Sequence, residues 1–220
     1  MSRHIIVDIE TIPDPALPWL GDETHFASPP HWQIACLGIL VLEDWRPVQM
    51  KVLTGDEPDI LRSFFGPLGA KDTLVTWNGR GFDLPVIIAR ALKHAVPMEW
   101  YFRSRDYRYR YSVAGHLDLC DQLCDHGAGR RWSLDAAAKL IGWPGKIDTS
   151  GGDVADLYAA GDIERIGSYC LEDVVQTAAV LLRSALLFGW LDADAAAERE
   201  DALKRFVAAD NRVSRLLGGE

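Results

Sequence analysis

Asp8 and Glu10 stand two residues apart in His4-Ile5-Ile6-Val7-Asp8-Ile9-Glu10-Thr11. In a strand, residues i and i+2 point the same way, roughly 7 Å apart. Like charges placed so closely at the end of an apolar strand repel and are poorly solvated, unless a cation sits between them. Mg²⁺ or Mn²⁺, hard ions that take oxygen ligands, suit that place. Two further stretches offer the same chemistry. Asp83 follows Trp77-Asn78-Gly79-Arg80-Gly81-Phe82, a strand end with a glycine-rich turn. Tyr169 and Asp173 lie at i and i+4 in Ser168-Tyr169-Cys170-Leu171-Glu172-Asp173, about 40° apart on one helix face. Each stretch also has a plainer reading: solvated acids at a strand end, an aspartate capping a helix, a buried Tyr–Asp hydrogen bond. Together, Asp8, Glu10, Asp83 and Asp173 would suit two divalent ions about 4 Å apart, an arrangement that drives in-line attack on phosphodiesters.

The elements that must position these groups can be read from residue type. Ile5, Ile6 and Val7 are β-branched and suit a strand buried on both faces; Pro13 and Pro15 end it. Residues 13–33, rich in Pro, His and Trp, read as a long ordered loop. Ile34 to Leu42 and Val48 to Leu53 read as strands, and Asp56 to Phe65 as a short helix capped by Asp56. Thr73 to Trp77 is a further strand, followed by a helix from Phe82 to Leu92. Ser133 suits the cap of a helix over 134–141 stopped by Gly142. Asp153 and Asp162 suit the caps of two more, the second reaching Phe188. On that long helix Ile166, Thr177 and Val180 share the side of Tyr169 and Asp173, which turns that face inward, whereas Glu164 and Glu172 read as solvated. The Ala-rich, charged stretch from Asp192 to Leu217 suits a terminal helix. Strands alternating with helices make an α/β layered fold. With no internal repeat or low-complexity linker, the chain reads as a domain over residues 1–190 with a helical extension over 191–220 packed on it.

Composition narrows the function classes. The chain has 220 residues, 48% hydrophobic and 25% charged, as in ordinary globular proteins. No long apolar run marks a signal peptide or membrane span, so no membrane association is expected. Cys36, Cys120, Cys124 and Cys170 form no dense framework, and reduced thiols in the cytoplasm are expected. A net charge of −9 is wrong for coating nucleic acid by bulk charge, so a polyanion partner needs a local basic patch or bound metal.

One such patch is Tyr101 to Tyr111, where Arg103, Arg105, Arg108 and Arg110 outnumber Asp106 and alternate in part with tyrosines. It suits a single strand, with arginines on phosphates and tyrosines stacked on bases. It also suits an irregular segment whose rings pack while the arginines face water. Arg130, Arg131 and Trp132 would extend it. His116, Cys120, Cys124 and His126 are zinc-ligating types, but their spacing is not a tight pair, and cysteines on an apolar face are usually core. Asp118 either buttresses the acids from behind or caps a turn. Trp19, His31 and Trp32 either form a lid or simply pack.

Asp8-Ile9-Glu10-Thr11, Asn78-Gly79-Arg80-Gly81-Phe82-Asp83 and Tyr169-Cys170-Leu171-Glu172-Asp173 resemble, in order and spacing, the three exonuclease motifs of the DEDD 3′-5′ exonuclease superfamily. The likeness spans residues 4–187 and is greatest to stand-alone proteins similar to the exonuclease domain of family B DNA polymerases. Ser133-Leu134-Asp135, Gly145-Lys146-Ile147-Asp148 and Gly151-Gly152-Asp153-Val154 add to it. The resemblance implies a ribonuclease-H-like fold, a mixed five-stranded sheet with helices on both faces. It implies Asp8, Glu10, Asp83 and Asp173 as ligands of two divalent ions, Mg²⁺ or Mn²⁺. It makes Tyr169 the residue that positions the attacking water. Ser168 stands where another branch of the superfamily has histidine, so the tyrosine branch (DEDDy) is implied. An unperturbed phenol has a pKa of about 10, so Tyr169 is expected to orient water by hydrogen bonding rather than act as a free base. Ile9, Thr11, Asn78 and Phe82, with Tyr169, match positions near the terminal nucleotide.

The implied activity is hydrolysis from the 3′ end of single-stranded nucleic acid, DNA favoured, releasing nucleoside 5′-monophosphates. An exonuclease of RNA or short oligonucleotides is a second reading, and a non-catalytic nucleic-acid-binding module on the same fold a third. The full set of acids and Tyr169 argues against the third. Proofreading would require a separate polymerase or repair partner.

Overall fold

A computed structural model describes residues 2–21, 27–69, 71–147 and 151–218; Asp148, quoted for the resemblance, and residues 22–26 of the long loop fall outside them. Its centre is a five-stranded mixed sheet in the order β3-β2-β1-β4-β5. β1 (Arg3–Pro13), β2 (Trp32–Glu43) and β3 (Arg46–Leu53) form an antiparallel meander. β4 (Asp72–Thr76) and β5 (His116–Asp118) run parallel to β1. The chain passes from β3 to β4 through α1 (Glu57–Phe65), and from β4 to β5 through α2 (Asp83–Lys93), α3 (Glu99–Phe102) and α4 (Arg105–Arg108). After β5 come α5 (Leu119–Leu123), α6 (Leu134–Leu140), α7 (Val154–Ala159), α8 (Ile163–Leu187) and α9 (Ala193–Ala208). This is the mixed α/β, ribonuclease-H-like architecture expected. Among the described residues, no helix is long and apolar enough to cross a membrane.

Both sheet faces are covered, and β1 shows how. Its odd residues Ile5, Val7 and Ile9 pack with α1 and α2, against Ile60, Phe64, Leu84 and Ile87. Ile6 faces the other way, into a cluster with Val174, Val175 and Ala178 of α8. The two-residue period therefore carries Asp8 and Glu10 to the α8 side. The register slips between Glu10 and Thr11, so the alternation that aims the two acids ends just after them.

The long helix α8 is buried over most of its circumference, with Leu171, Val174, Val175, Ala178 and Leu181 at 0% exposure. Leu203 and Val207 of α9, with Val213 and Leu216 beyond it, pack into the same cluster. β2 approaches α8 closely because it carries Gly38, where a Cβ would stand 2.9 Å from the Cys170 sulfur.

Capping follows expectation in part. Ser133, Asp162 and Asp192 accept the N–H groups of Ala136, Arg165 and Ala195. Asp56 and Asp153 occupy N-cap positions but make no capping bond. Glu172 corrects the reading that it is solvated: it is 3% exposed and paired with Arg215. The partner comes from 43 residues further on, beyond any helix periodicity.

Within the Tyr101–Tyr111 stretch, Tyr101 and Phe102 end α3, Arg105–Arg108 form α4, and the remaining residues are irregular. Tyr107 is buried and donates to the Asp72 carbonyl at 2.8 Å. Arg110 grips Asp121, Arg103 pairs with Glu99, and Arg105 lies over the Tyr109 ring. Much of this basic-aromatic stretch thus holds the fold together. The cysteines nearby do likewise: the Cys120 and Cys124 thiols lie against the Trp132 and Arg130 carbonyls, and His126 meets Asp121.

Candidate active site and metal centre

Four carboxylates meet where β1, the β4–α2 turn and α8 come together. Asp8, Asp83 and Asp173 line one open cleft of about 500 Å³, and Glu10 stands behind them, 7% exposed. Ligand atoms of Asp8, Glu10 and Cys170 lie within 4.8 Å of one another. The Cys170 thiol reaches the Asp8 carbonyl at 3.5 Å and its carboxylate at 3.8 Å.

The turn that presents Asp83 is held from below. Asp118 accepts the backbone N–H of Asn78 and of Arg80, each at 2.9 Å, and that of Asp121 at 3.1 Å. Asp118 therefore both buttresses the turn and caps α5. Arg80 donates to the carbonyls of Tyr107, Tyr109 and His116, which ties the turn to α4 and β5. Asn78 adopts φ +60°, a left-handed conformation that Asn tolerates better than most residues. Gly81 leaves room beside it: a Cβ there would lie 2.6 Å from the Asn78 side-chain oxygen. Asp83 is the first residue of α2 rather than its cap. The Ile9 amide lies on the Asp83 side of β1 and lowers its carboxyl against the effect of burial.

Charge in the cluster is unbalanced. Burial, then Asp83, Glu10 and Asp173, raise the Asp8 carboxyl well above its ordinary value. Burial first and Asp173 next do the same to Glu10. Burial lifts Asp83 to about 7 and Asp173 to about 6. Lys146 opposes the trend at Glu10 and Asp173. Its ammonium donates to the Tyr169 hydroxyl at 2.6 Å, and Asp173, one helical turn on, interacts electrostatically with that phenol. Burial, then Asp173, Glu10 and Asp8, push the Tyr169 phenol far above its ordinary value. The Lys146 backbone N–H is fixed by Asp135 at 2.8 Å.

Buried carboxylates held together against this penalty are a donor set for hard divalent cations, which remove both the desolvation and the repulsion. Oxygen donors from three separate segments fit such ions.

The residues expected near a terminal nucleotide fare differently. Asn78 and Phe82 line the cleft; Asn78 accepts from Arg131 at 2.6 Å, and Phe82 meets Trp32 edge-on at 6.3 Å. Ile9 turns its side chain into the opposite core cluster, away from the cleft. Thr11 is half-buried beyond the register shift. Trp19 packs edge-on against His31. Residue-type reasoning assigned no role to Lys146 or Asp135, and placed Arg131 only in the basic patch. A lysine four residues after Gly142 carries no periodic signal, and what places it is a bond to a helix start elsewhere.

Residues 25–217 match the family described as "Predicted 3'-5' exonuclease related to the exonuclease domain of PolB". The chain belongs to this family. The match begins after β1, so Asp8 and Glu10 join the motifs of Asp83 and Asp173 through the fold. Among solved structures, the family B DNA polymerase of the hyperthermophilic archaeon Pyrobaculum calidifontis superposes with a TM-score of 0.61 at 18% identity, over 100% of this chain and 27% of the polymerase. The zinc-bound complex of Escherichia coli ExoI with single-stranded DNA gives a TM-score of 0.49 at 16% identity, over 86% of this chain and 42% of that one. The chain thus spans about a quarter of the polymerase it resembles, and at 18% identity the likeness is one of fold. No curated protein matches it.

Proposed function

We propose that the chain is a divalent-metal-dependent 3′-5′ exonuclease of the tyrosine branch, acting on single-stranded nucleic acid with DNA favoured. The observation that carries this reading is the convergence of Asp8, Asp83 and Asp173 on one cleft with Glu10 behind them, their charge left largely uncancelled. A pure binding module has no need of such a costly arrangement. The family match supports the direction of attack.

Asp8, Glu10, Asp83 and Asp173 would hold two Mg²⁺ or Mn²⁺ ions. Bound there, such ions supply a water of lowered pKa and offset charge on the scissile phosphate. Tyr169 keeps its proton throughout neutral pH and so serves as a hydrogen-bonding group, aligning the nucleophilic water with Asp173 as its partner. Lys146, bonded to the Tyr169 oxygen, holds that hydroxyl in place and adds positive charge beside the reacting phosphate. Asn78 and Phe82, on the opposite wall, grip the terminal nucleotide. The products are nucleoside 5′-monophosphates. The free thiols fit a reducing cytoplasm, and proofreading would be supplied in trans to a separate polymerase or repair partner.

The test is cleavage of 5′-labelled single-stranded DNA and RNA of one sequence, with Mg²⁺ or Mn²⁺, by the wild type and Asp8→Ala. A ladder shortening from the 3′ end, lost in the variant and in EDTA, is expected, with DNA the faster polymer. Binding without shortening of either polymer would overturn the catalytic reading.

A further inference from the structure

Beside the cleft, a second cavity of about 340 Å³ runs between α6 and the C-terminal half of α8. Leu123, Trp132, Leu140, Ile141, Leu186 and Leu187 line it. Trp132 also lines the cleft, so one indole separates the acids from an apolar groove. Its lips are open: Leu140 is 74% exposed, Leu187 72% and Trp132 43%.

The segment carrying Trp132 is fixed in advance. The thiols of Cys124 and Cys120 lie against the carbonyls of Arg130 and Trp132 at 3.1 and 3.6 Å. Arg131 reaches across to Asn78 at 2.6 Å, and Ser133 begins α6 as its cap. Arg130 and Arg131 are exposed cations beside the exposed ring. This is the pairing that follows a single strand, with charge for the phosphates and an aromatic face for a base. Arg183 and Ser184 also line the groove, but Arg183 is paired with Glu200 at 2.8 Å and Ser184 is buried, so a mostly aliphatic wall takes the face of any base and reads little sequence.

We propose that Trp132 divides two base subsites on one path: the cleft takes the 3′-terminal nucleotide, and the apolar groove between α6 and α8 takes the base next upstream, stacked on Trp132. The proposal rests on the exonuclease reading and adds the requirement that this penultimate base be unpaired.

The experiment compares two 5′-labelled octathymidylates, one intact and one abasic at the penultimate nucleotide, cut by the full chain with Mn²⁺. For the wild type, the ratio of kcat/KM, intact over abasic, is expected at about five- to hundredfold, the size of one stacked base. In Trp132→Ala and Leu187→Asp the ratio falls towards one. A wild-type ratio near one, or a ratio unchanged in both variants, overturns the proposal. So does Leu187→Asp leaving the ratio intact while turning a dimer into a monomer in sedimentation, which would give the groove to a second copy of the chain. Failure of the exonuclease reading looks different: the wild type then cuts neither oligonucleotide, and the proposal falls with it.

Discussion

β1 and the turn after it feed two carboxylate clusters on opposite terms. At Asp14, the chain brings its own cations. Arg90, 1% exposed, lies between Asp14 and Glu57; Lys93 adds a second bond to Asp14, and His94 meets Glu57 at 2.7 Å. Burial would raise the two acids, but hydrogen bonds from Lys93 and Arg90 to Asp14, and from Arg90, Ile34 and His94 to Glu57, outweigh it and hold both below their ordinary values. A few residues earlier, Asp8 and Glu10 join Asp83 and Asp173, and the cation set against them is Lys146. There burial wins and the carboxyls rise. One cluster is a finished bracket joining the loop after β1 to α1 and α2. The other is left incomplete at the cost of stability, as sites that must accept an external charge often are.

The comparison can be broken most severely at Arg90. Arg90→Met strands two buried carboxylates, and unfolding in denaturant should show a loss of about 3–5 kcal/mol. A loss under 1 kcal/mol would mean that the bracket is not closed by Arg90. Asp8→Asn should act in the reverse sense on stability. It removes a repelled charge, so the metal-free protein should melt higher than the wild type, while cleavage falls more than about a hundredfold, beyond what loss of an outer partner of a metal ligand produces. Saturating metal should stabilise the wild type by about 2.7 kcal/mol at a hundred times its Kd, and the variant by less.

Titration sharpens the contrast further. Asp14 and Glu57 have depressed folded-state pKa values, so their contribution is complete above about pH 4 and is lost as pH falls. Asp83, lifted to about 7, and Asp173, to about 6, do the opposite. Without metal their contribution is complete below about pH 4 and is lost as pH rises through 6 to 7. Chemical unfolding across pH in EDTA should show stability declining from about pH 4 and levelling off above about pH 7, and Asp83→Asn should flatten the decline. The smallest effect belongs to a pair outside both clusters. Arg62 and Asp59 meet at 3.0 Å with both side chains mostly exposed, so Asp59→Asn should cost under about 0.5 kcal/mol.

What the sequence made legible depended on distance along the chain. Asp8 and Glu10 could be placed on one side of β1, and Tyr169 with Asp173 on one face of α8, because strand and helix periods are local. The sheet and its covered faces followed from apolar runs alternating with helical ones. Glu172 was misread because its partner Arg215 lies in a terminal turn. Lys146 was legible only as part of a motif likeness, since its bond to Tyr169 joins a loop to a helix 23 residues on. The arginines of 101–111 looked alike in sequence. The structure divides their work, giving Arg110 to Asp121 and Arg103 to Glu99.

Asp8 and Cys170 touch across 162 residues of chain, which has a consequence for the order of folding. β1 is made before α8, which closes the sheet face beneath its acids. Contacts of such long sequence separation form late, after much loop-closure entropy has been spent. Asp173 cannot join Asp8 and Glu10 until α8 has been made and docked. A ribosome-bound or truncated chain that stops before Tyr169 carries the first two motifs but lacks the third. On the proposed exonuclease reading, such a chain would have no complete set of acids and would be inactive until α8 is in place.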